Sequence, residues 1–357
     1  MVPRCFAFEH LLENLRVAAV LGIACSIVAE PPSNPHDAYF RQVLSRPADA
    51  AAELRTVLPE AIAARLDWDA LELQPCSFVS QQLRSRYSDL LFRTRVGASE
   101  AYVFLLIEHQ SSPDPLMAMR MLEYKVGIWS RYVRENPRTK TLPVVIPLVV
   151  HASRDGRRWE CPTELSELLD IDAATRDALG DFLPRFRFVL DDLTVTSVSA
   201  LCARDLTPAT RVLLVLLKVA AGNRSLAIEI LPLVRDFQAI VSAPGGLEVL
   251  EWAVTYILSV GETSDTELAP VFHRVGPHAE EVIMSTAERL RAEGEARGEA
   301  RGVARGRAGM VLELLAVKFG PLSKETQDTV RSATDEQLRH WAARMLEVES
   351  LNEVFER

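Results

Sequence analysis

Asp89, Glu108 and Gln110 are the residues of this chain whose types and spacing could do chemistry. Asp89 lies in YSDLLFRTRV (87–96), a stretch rich in aromatic and β-favouring residues. Gly97-Ala98-Ser99-Glu100 reads as a turn, and the almost wholly apolar AYVFLLI (101–107) then runs into Glu108-His109-Gln110. The pattern predicts a hairpin whose second strand is covered on both faces. Side chains alternate along a strand, so Glu108 and Gln110 would share a face and His109 would take the other. If the register sets Asp89 beside Glu108, two hard carboxylate oxygens, supplemented by a carbonyl and water, suit Mg²⁺ or Mn²⁺ rather than zinc. Spacing by itself favours the plainer alternative, in which each acid is a solvated strand end or half of an ion pair.

The elements that must hold these residues can be read on either side. Residues 36–44 and 48–58 carry helical periodicity, with Asp37 and Asp49 as first-turn acids, and should cover one face of the sheet. Glu53 and Glu60 read as solvated helix charges. Asp114-Pro115 opens a further helix, on which Leu116, Met119, Leu122, Val126 and Trp129 form the stripe expected to bury against the sheet. Residues 142–150 are β-rich, so strand, helix and strand predict a right-handed crossover and a parallel pair. His151 reads as a strand-end loop histidine. Residues 185–190 look like one more strand, and 206–260 like an all-helical addition.

Four segments, HDAYFRQVL (36–44), SDLLFRTR (88–95), VFLLIEHQSSPDPLMAMRMLEYKVGIW (103–129) and VVIPLVVH (144–151), in this order, resemble the Rpn family of recombination-promoting nucleases, also called YhgA-like transposases, of the PD-(D/E)XK nuclease superfamily. The resemblance covers most of the first two-thirds of the chain after residue 33. It implies an α/β fold: an αβββαβ core with a mixed sheet flanked by helices, followed by a helical extension and a small helical C-terminal domain. It makes Asp89 the superfamily's strand Asp, Glu108 its (D/E), and puts Gln110 where most members carry Lys. A first-helix acid assists the metal in other members, and Glu53 or Glu60 could take that part.

The implied activity is Mg²⁺- or Mn²⁺-dependent hydrolysis of DNA phosphodiesters by an endodeoxyribonuclease, linked to recombination or mobile elements. Asp89 and Glu108 would hold the metal and Gln110 would position the nucleophile. Gln can orient a water or a phosphate oxygen but offers no positive charge to a developing oxyanion. The alternative is therefore a catalytically weak nuclease-like fold that binds nucleic acid or protein, and cleavage of RNA is a third possibility.

The chain of 357 residues carries a formal charge of −9, which at first argues against nucleic acid as a partner. Between residues 81 and 159, however, thirteen Lys and Arg face seven acids, so this segment is +6 and the remainder −15. A basic region around the three site residues fits a DNA backbone. Five scattered cysteines show neither zinc nor disulfide spacing, which predicts reduced thiols in a cytoplasmic protein. The apolar run 17–29 is too short to span a bilayer, so no membrane is expected. Residues 1–33 read as a poorly defined extension that ends in a proline-rich break.

The domain layout expected is 1–33, the nuclease-like domain with its helical addition over 34–260, a repeat over 285–309 and a small helical domain over 310–357. In the repeat, Gly294, Gly298, Gly302 and Gly306 recur every four residues beside Arg297, Arg301 and Arg305. The segment would be either a flexible linker or a helix held by a partner, since Gly costs about 0.8–1 kcal/mol per helical position. A homo-oligomer formed through this repeat and the C-terminal helices follows from the second reading. The closing FGPL and ESLNEVF resemble the short domain of unknown function that often follows Rpn-type domains.

Overall fold

The computed structural model describes residues 34–75, 88–97, 99–108 and 113–355. Within the strands the side chains of Ser88, Asp89, Glu100 and residues 104–108 lie outside this description, as do the expected N-terminal extension, His109 and Gln110.

Helices α1 (Pro35–Leu44) and α2 (Pro47–Val57) each begin on a proline, whose missing N–H costs nothing in a first turn. The Asn34 side chain caps α1 by accepting from the His36 N–H at 3.1 Å. The chain then forms β1 (Glu72–Gln74), β2 (Ser88–Val96) and β3 (Ser99–Glu108), paired antiparallel, with Gly97 turning the hairpin at φ +61°. Helix α3 (Met117–Glu135) crosses over to β4 (Val144–His151), which runs parallel to β3. Strand β5 (Val189–Asp192) lies parallel to β4, giving one mixed sheet in the order β1-β2-β3-β4-β5. The αβββαβ order is thus present, with β5 added at the edge.

Alternation divides the sheet between two cores. Leu90, Phe92, Val103, Leu148 and Val150 pack with α1, α2 and the later helices, while Leu91, Val145 and Val149 pack with α3, Phe186 and Phe188. Two expectations shift here. On α3 the buried residues are Met117, Ala118, Met121, Tyr124 and Ile128, whereas Leu116, Met119 and Val126 are 59%, 43% and 48% exposed. Leu122 and Trp129 are only half-buried. The segment holds two overlapping apolar stripes, and contact with the sheet selects the other one. Strand β5 starts at Val189 rather than 185, because residues 186–188 belong to a separate bridge: Phe186 and Phe188 turn into the α3 core and Arg187 pairs with Glu164 at 2.8 Å.

Helices α4 (Val198–Ala203), α5 (Pro208–Val219), α6 (Val234–Ser242), α7 (Gly246–Val260) and α8 (Asp265–Val275) extend the first core, which continues to Ile283 on α9 (Pro277–Phe319). Helix α9 is 43 residues long and contains the whole glycine repeat. Its middle, 291–307, is exposed on every side. Beyond it, α9 packs with α10 (Lys324–Arg331), α11 (Asp335–Arg344) and α12 (Leu351–Phe355) around Leu315, Val330, Leu338 and Trp341. Thr334 and Gln337 form a capping box at the start of α11.

Candidate active site

Register brings the two expected metal ligands to one end and one face of the sheet. Asp89 pairs with Leu106, two residues before Glu108, so positions 89 and 108 fall on the α3 face by parity with Leu91 and Tyr102. Glu108 in turn pairs with His151, and His151 with Asp192. The result is a row of acid, histidine and acid across β3, β4 and β5, with Asp89 diagonal to it on β2. Gln110 lies outside the described residues.

His151 is no loop histidine. It is fully buried at the end of β4, because VVIPLVVH is one continuous covered strand and position 151 falls on the same face as Val149. The ring stands edge-on to Trp159 with centroids 5.3 Å apart. Its Nε2 lies 3.0 Å from the carbonyl oxygen of Arg157. A carbonyl can only accept, so the proton sits on Nε2 and Nδ1 presents a lone pair. Among the described residues, the buried Nδ1 makes no hydrogen bond, and the Oγ of Ser153, two residues on, is in the same state. Asp192 is already occupied: one oxygen accepts from the Trp159 N–H at 2.9 Å and the other from the N–H and hydroxyl of Thr194. Among the described residues no three His, Cys, Asp or Glu side chains converge as a metal set.

The opposite face at the same end carries a second polar group. Glu53, expected in solvent, is fully buried on α2 near Asp191 of β5. Arg204 donates to both oxygens of Asp191 at 2.7 Å and lies 3.8 Å from Glu53. Burial, and next the Asp191 charge, push the Glu53 carboxyl well above the usual carboxylate range. Arg204 is held above its ordinary value, chiefly by its hydrogen bonds to Asp191. Glu53 lies 138 residues from Asp191 and 151 from Arg204 along the chain, so no local pattern announces this cluster. Glu60 is exposed at the start of a single helical turn.

The basic excess is unevenly placed. Arg93, Arg95, Arg120, Arg131 and Arg154 pair with Glu72, Asp67, Asp114, Glu135 and Glu262. Arg134, Arg138 and Lys140 are exposed, but they lie at the end of α3 and before β4, the far end of the sheet from His151. That is roughly 25 Å away for an eight-residue strand. At the site end, Arg157 and Arg158 are exposed on the loop after β4. Among the described residues, the basic groups of the +6 segment therefore do not form one patch around the site.

The family profile described as "Putative transposase, YhgA-like" matches residues 34–244. The chain belongs to this YhgA-like family. Its relatives include recombination-promoting nuclease RpnD of Escherichia coli O157:H7, 34% identical over 46% of this chain and 60% of RpnD. Recombination-promoting nuclease RpnA of Escherichia coli K12 is 30% identical over 74% of this chain and 85% of its own length. The inactive recombination-promoting nuclease-like protein RpnE of the same strain is 29% identical over 73% of this chain. No solved structure matches. The YhgA-like match takes in α1 to α6, including the whole sheet and both polar clusters at its end. No helix among the described residues is long and apolar enough to cross a membrane.

Proposed function

We propose that this YhgA-like chain is a metal-dependent DNA endonuclease acting in the cytoplasm, with Asp89 and Glu108 holding Mg²⁺ or Mn²⁺ and Gln110 positioning the nucleophile. The observation that supports it most is the shared face and end of positions 89 and 108 beside a buried histidine nitrogen that has no partner among the described residues. That orphaned nitrogen is a polar atom the fold alone does not satisfy, as expected where a charged group is to be received. A divalent ion bound there would lower the pKa of a water and offset phosphate charge. The Gln110 carboxamide would orient that water or a phosphate oxygen, and Arg157 and Arg158 would meet the backbone of the polymer. The names of RpnD and RpnA agree with this reading.

The name of RpnE favours a second reading, a nuclease-like fold that binds without cutting. Nicking of supercoiled plasmid in Mg²⁺ and in Mn²⁺ separates the two. The nuclease reading expects relaxed and linear products from the wild type and none from Asp89→Ala. Uncut plasmid in both metals moves the binding reading ahead.

Self-association through 285–309 belongs to the same proposal. Arg297, Arg301 and Arg305 form one flank of the glycine stripe, and Glu295 and Glu299 the other. Like charges four residues apart repel along a helix. A second copy lying parallel would set the basic flank of each helix against the acidic flank of its partner. Sedimentation equilibrium should show a dimer that weakens with salt, and a monomer at all concentrations would remove the idea.

A further inference from the structure

We infer that His151 is itself a metal ligand, through Nδ1, alongside Asp89 and Glu108. The inference rests on the metal-binding reading above and adds a nitrogen to a set of oxygens. Three observations support it. His151 is the register partner of Glu108 on a parallel neighbour, on the face that position 89 shares. Its Nε2–H is committed to the Arg157 carbonyl at 3.0 Å, which is the outer hydrogen bond that fixes tautomer and ring orientation in metal-bound imidazoles. Its Nδ1 is buried, has no hydrogen-bond partner among the described residues and carries the lone pair.

A merely structural histidine would be expected to use both ring nitrogens, since an unsatisfied buried acceptor is costly. Trp159 holds the ring from the other side, with its own N–H anchored on Asp192 and its indole packed on Phe188. The ring is thus oriented by neighbours on two sides and left open at one atom. One imidazole with two carboxylates suits Mn²⁺ better than Mg²⁺, which prefers all-oxygen octahedra. His151 also supplies what Gln110 cannot, a strong neutral donor that leaves the site's net charge less negative than a third carboxylate would.

The test is Mn²⁺ binding followed by pulsed EPR on the full chain, with no activity measurement needed. The wild type should bind Mn²⁺ more tightly than Mg²⁺ and show ¹⁴N modulation from a directly coordinated imidazole. Uniform ¹⁵N-histidine labelling should replace that modulation with the ¹⁵N pattern. His151→Gln should remove it and weaken Mn²⁺ by at least the roughly 10-fold that losing even a ligand's outer hydrogen bond costs, with Mg²⁺ binding little changed. The labelling arm uses unaltered protein, so the outcome stands even if the buried substitution impairs folding. Mn²⁺ bound in an Asp89-dependent way without nitrogen modulation would overturn the role of His151 while leaving the carboxylate site intact. Absence of Mn²⁺ binding in the wild type would overturn both.

Discussion

The two faces of the sheet at the carboxyl end of β4 bury polar groups in opposite ways. On the α2 face, Arg204 clamps Asp191 with two hydrogen bonds and lies beside Glu53, so the charges are balanced inside the fold. On the α3 face, His151 is equally buried but keeps an open nitrogen beside the position of Glu108. The first face holds an anion and a cation together inside the fold, although both Glu53 oxygens are buried without a hydrogen bond among the described residues. The second face gives its open nitrogen no hydrogen-bond partner among the described residues, and under the proposed metal-binding reading it is completed by an added ion.

The largest effect expected from this contrast is on activity. Asp89→Ala or Glu108→Ala should lower cleavage of supercoiled DNA by on the order of a thousandfold, with the thermal unfolding transition retained. Full activity in either variant would merge the two faces again. On the α2 face the effect should be on stability. Arg204→Ala leaves Asp191 and Glu53 without a cation and should cost about 3 kcal/mol in urea unfolding, because breaking a buried pair strands a charge. A loss under about 0.5 kcal/mol would mean that the cluster is solvated and the comparison ill-founded.

A finer test is the pH dependence of Glu53. A carboxyl raised above its ordinary value of 4.5 stabilises the fold fully below that value, and the contribution is lost as pH rises through the folded value. Glu53→Gln removes the cost of ionising the buried acid, so it should raise Tm at pH 8 by about 3 °C and have little effect at pH 4. A lowered Tm at pH 8 would show that the ionised form is needed. The smallest effect is at the surface. Nothing lies within 4 Å of a Cβ built on Gly298, so Gly298→Ala should stabilise α9 by about 0.8–1 kcal/mol, measured by helical CD on heating. If two copies meet along the stripe, the same change should also weaken the dimer.

Much of this arrangement is legible in the sequence. The hairpin of β2 and β3 and the parallel crossover to β4 follow from the alternation of SDLLFRTR and the apolar runs on either side of α3, whereas the shared face of positions 89 and 108 depends on a register that alternation leaves open. The α3 stripe is also left open, since Met117, Met119, Met121 and Leu122 allow two faces and only the sheet decides between them. Glu53 was invisible because its neighbours in space come from β5 and α4. For His151 a signal existed: an unbroken covered run carries alternation through to its last residue, which places the ring inside rather than on a loop.

If the α3 face receives a metal ion as proposed, anomalous diffraction from a crystal soaked in Mn²⁺ will locate it. A single peak is expected on the α3 face, about 2.0–2.6 Å from carboxylate oxygens of Asp89 and Glu108 and within bonding distance of His151 Nδ1. No peak there, or a peak instead at the Asp191 and Arg204 face, would contradict the proposal.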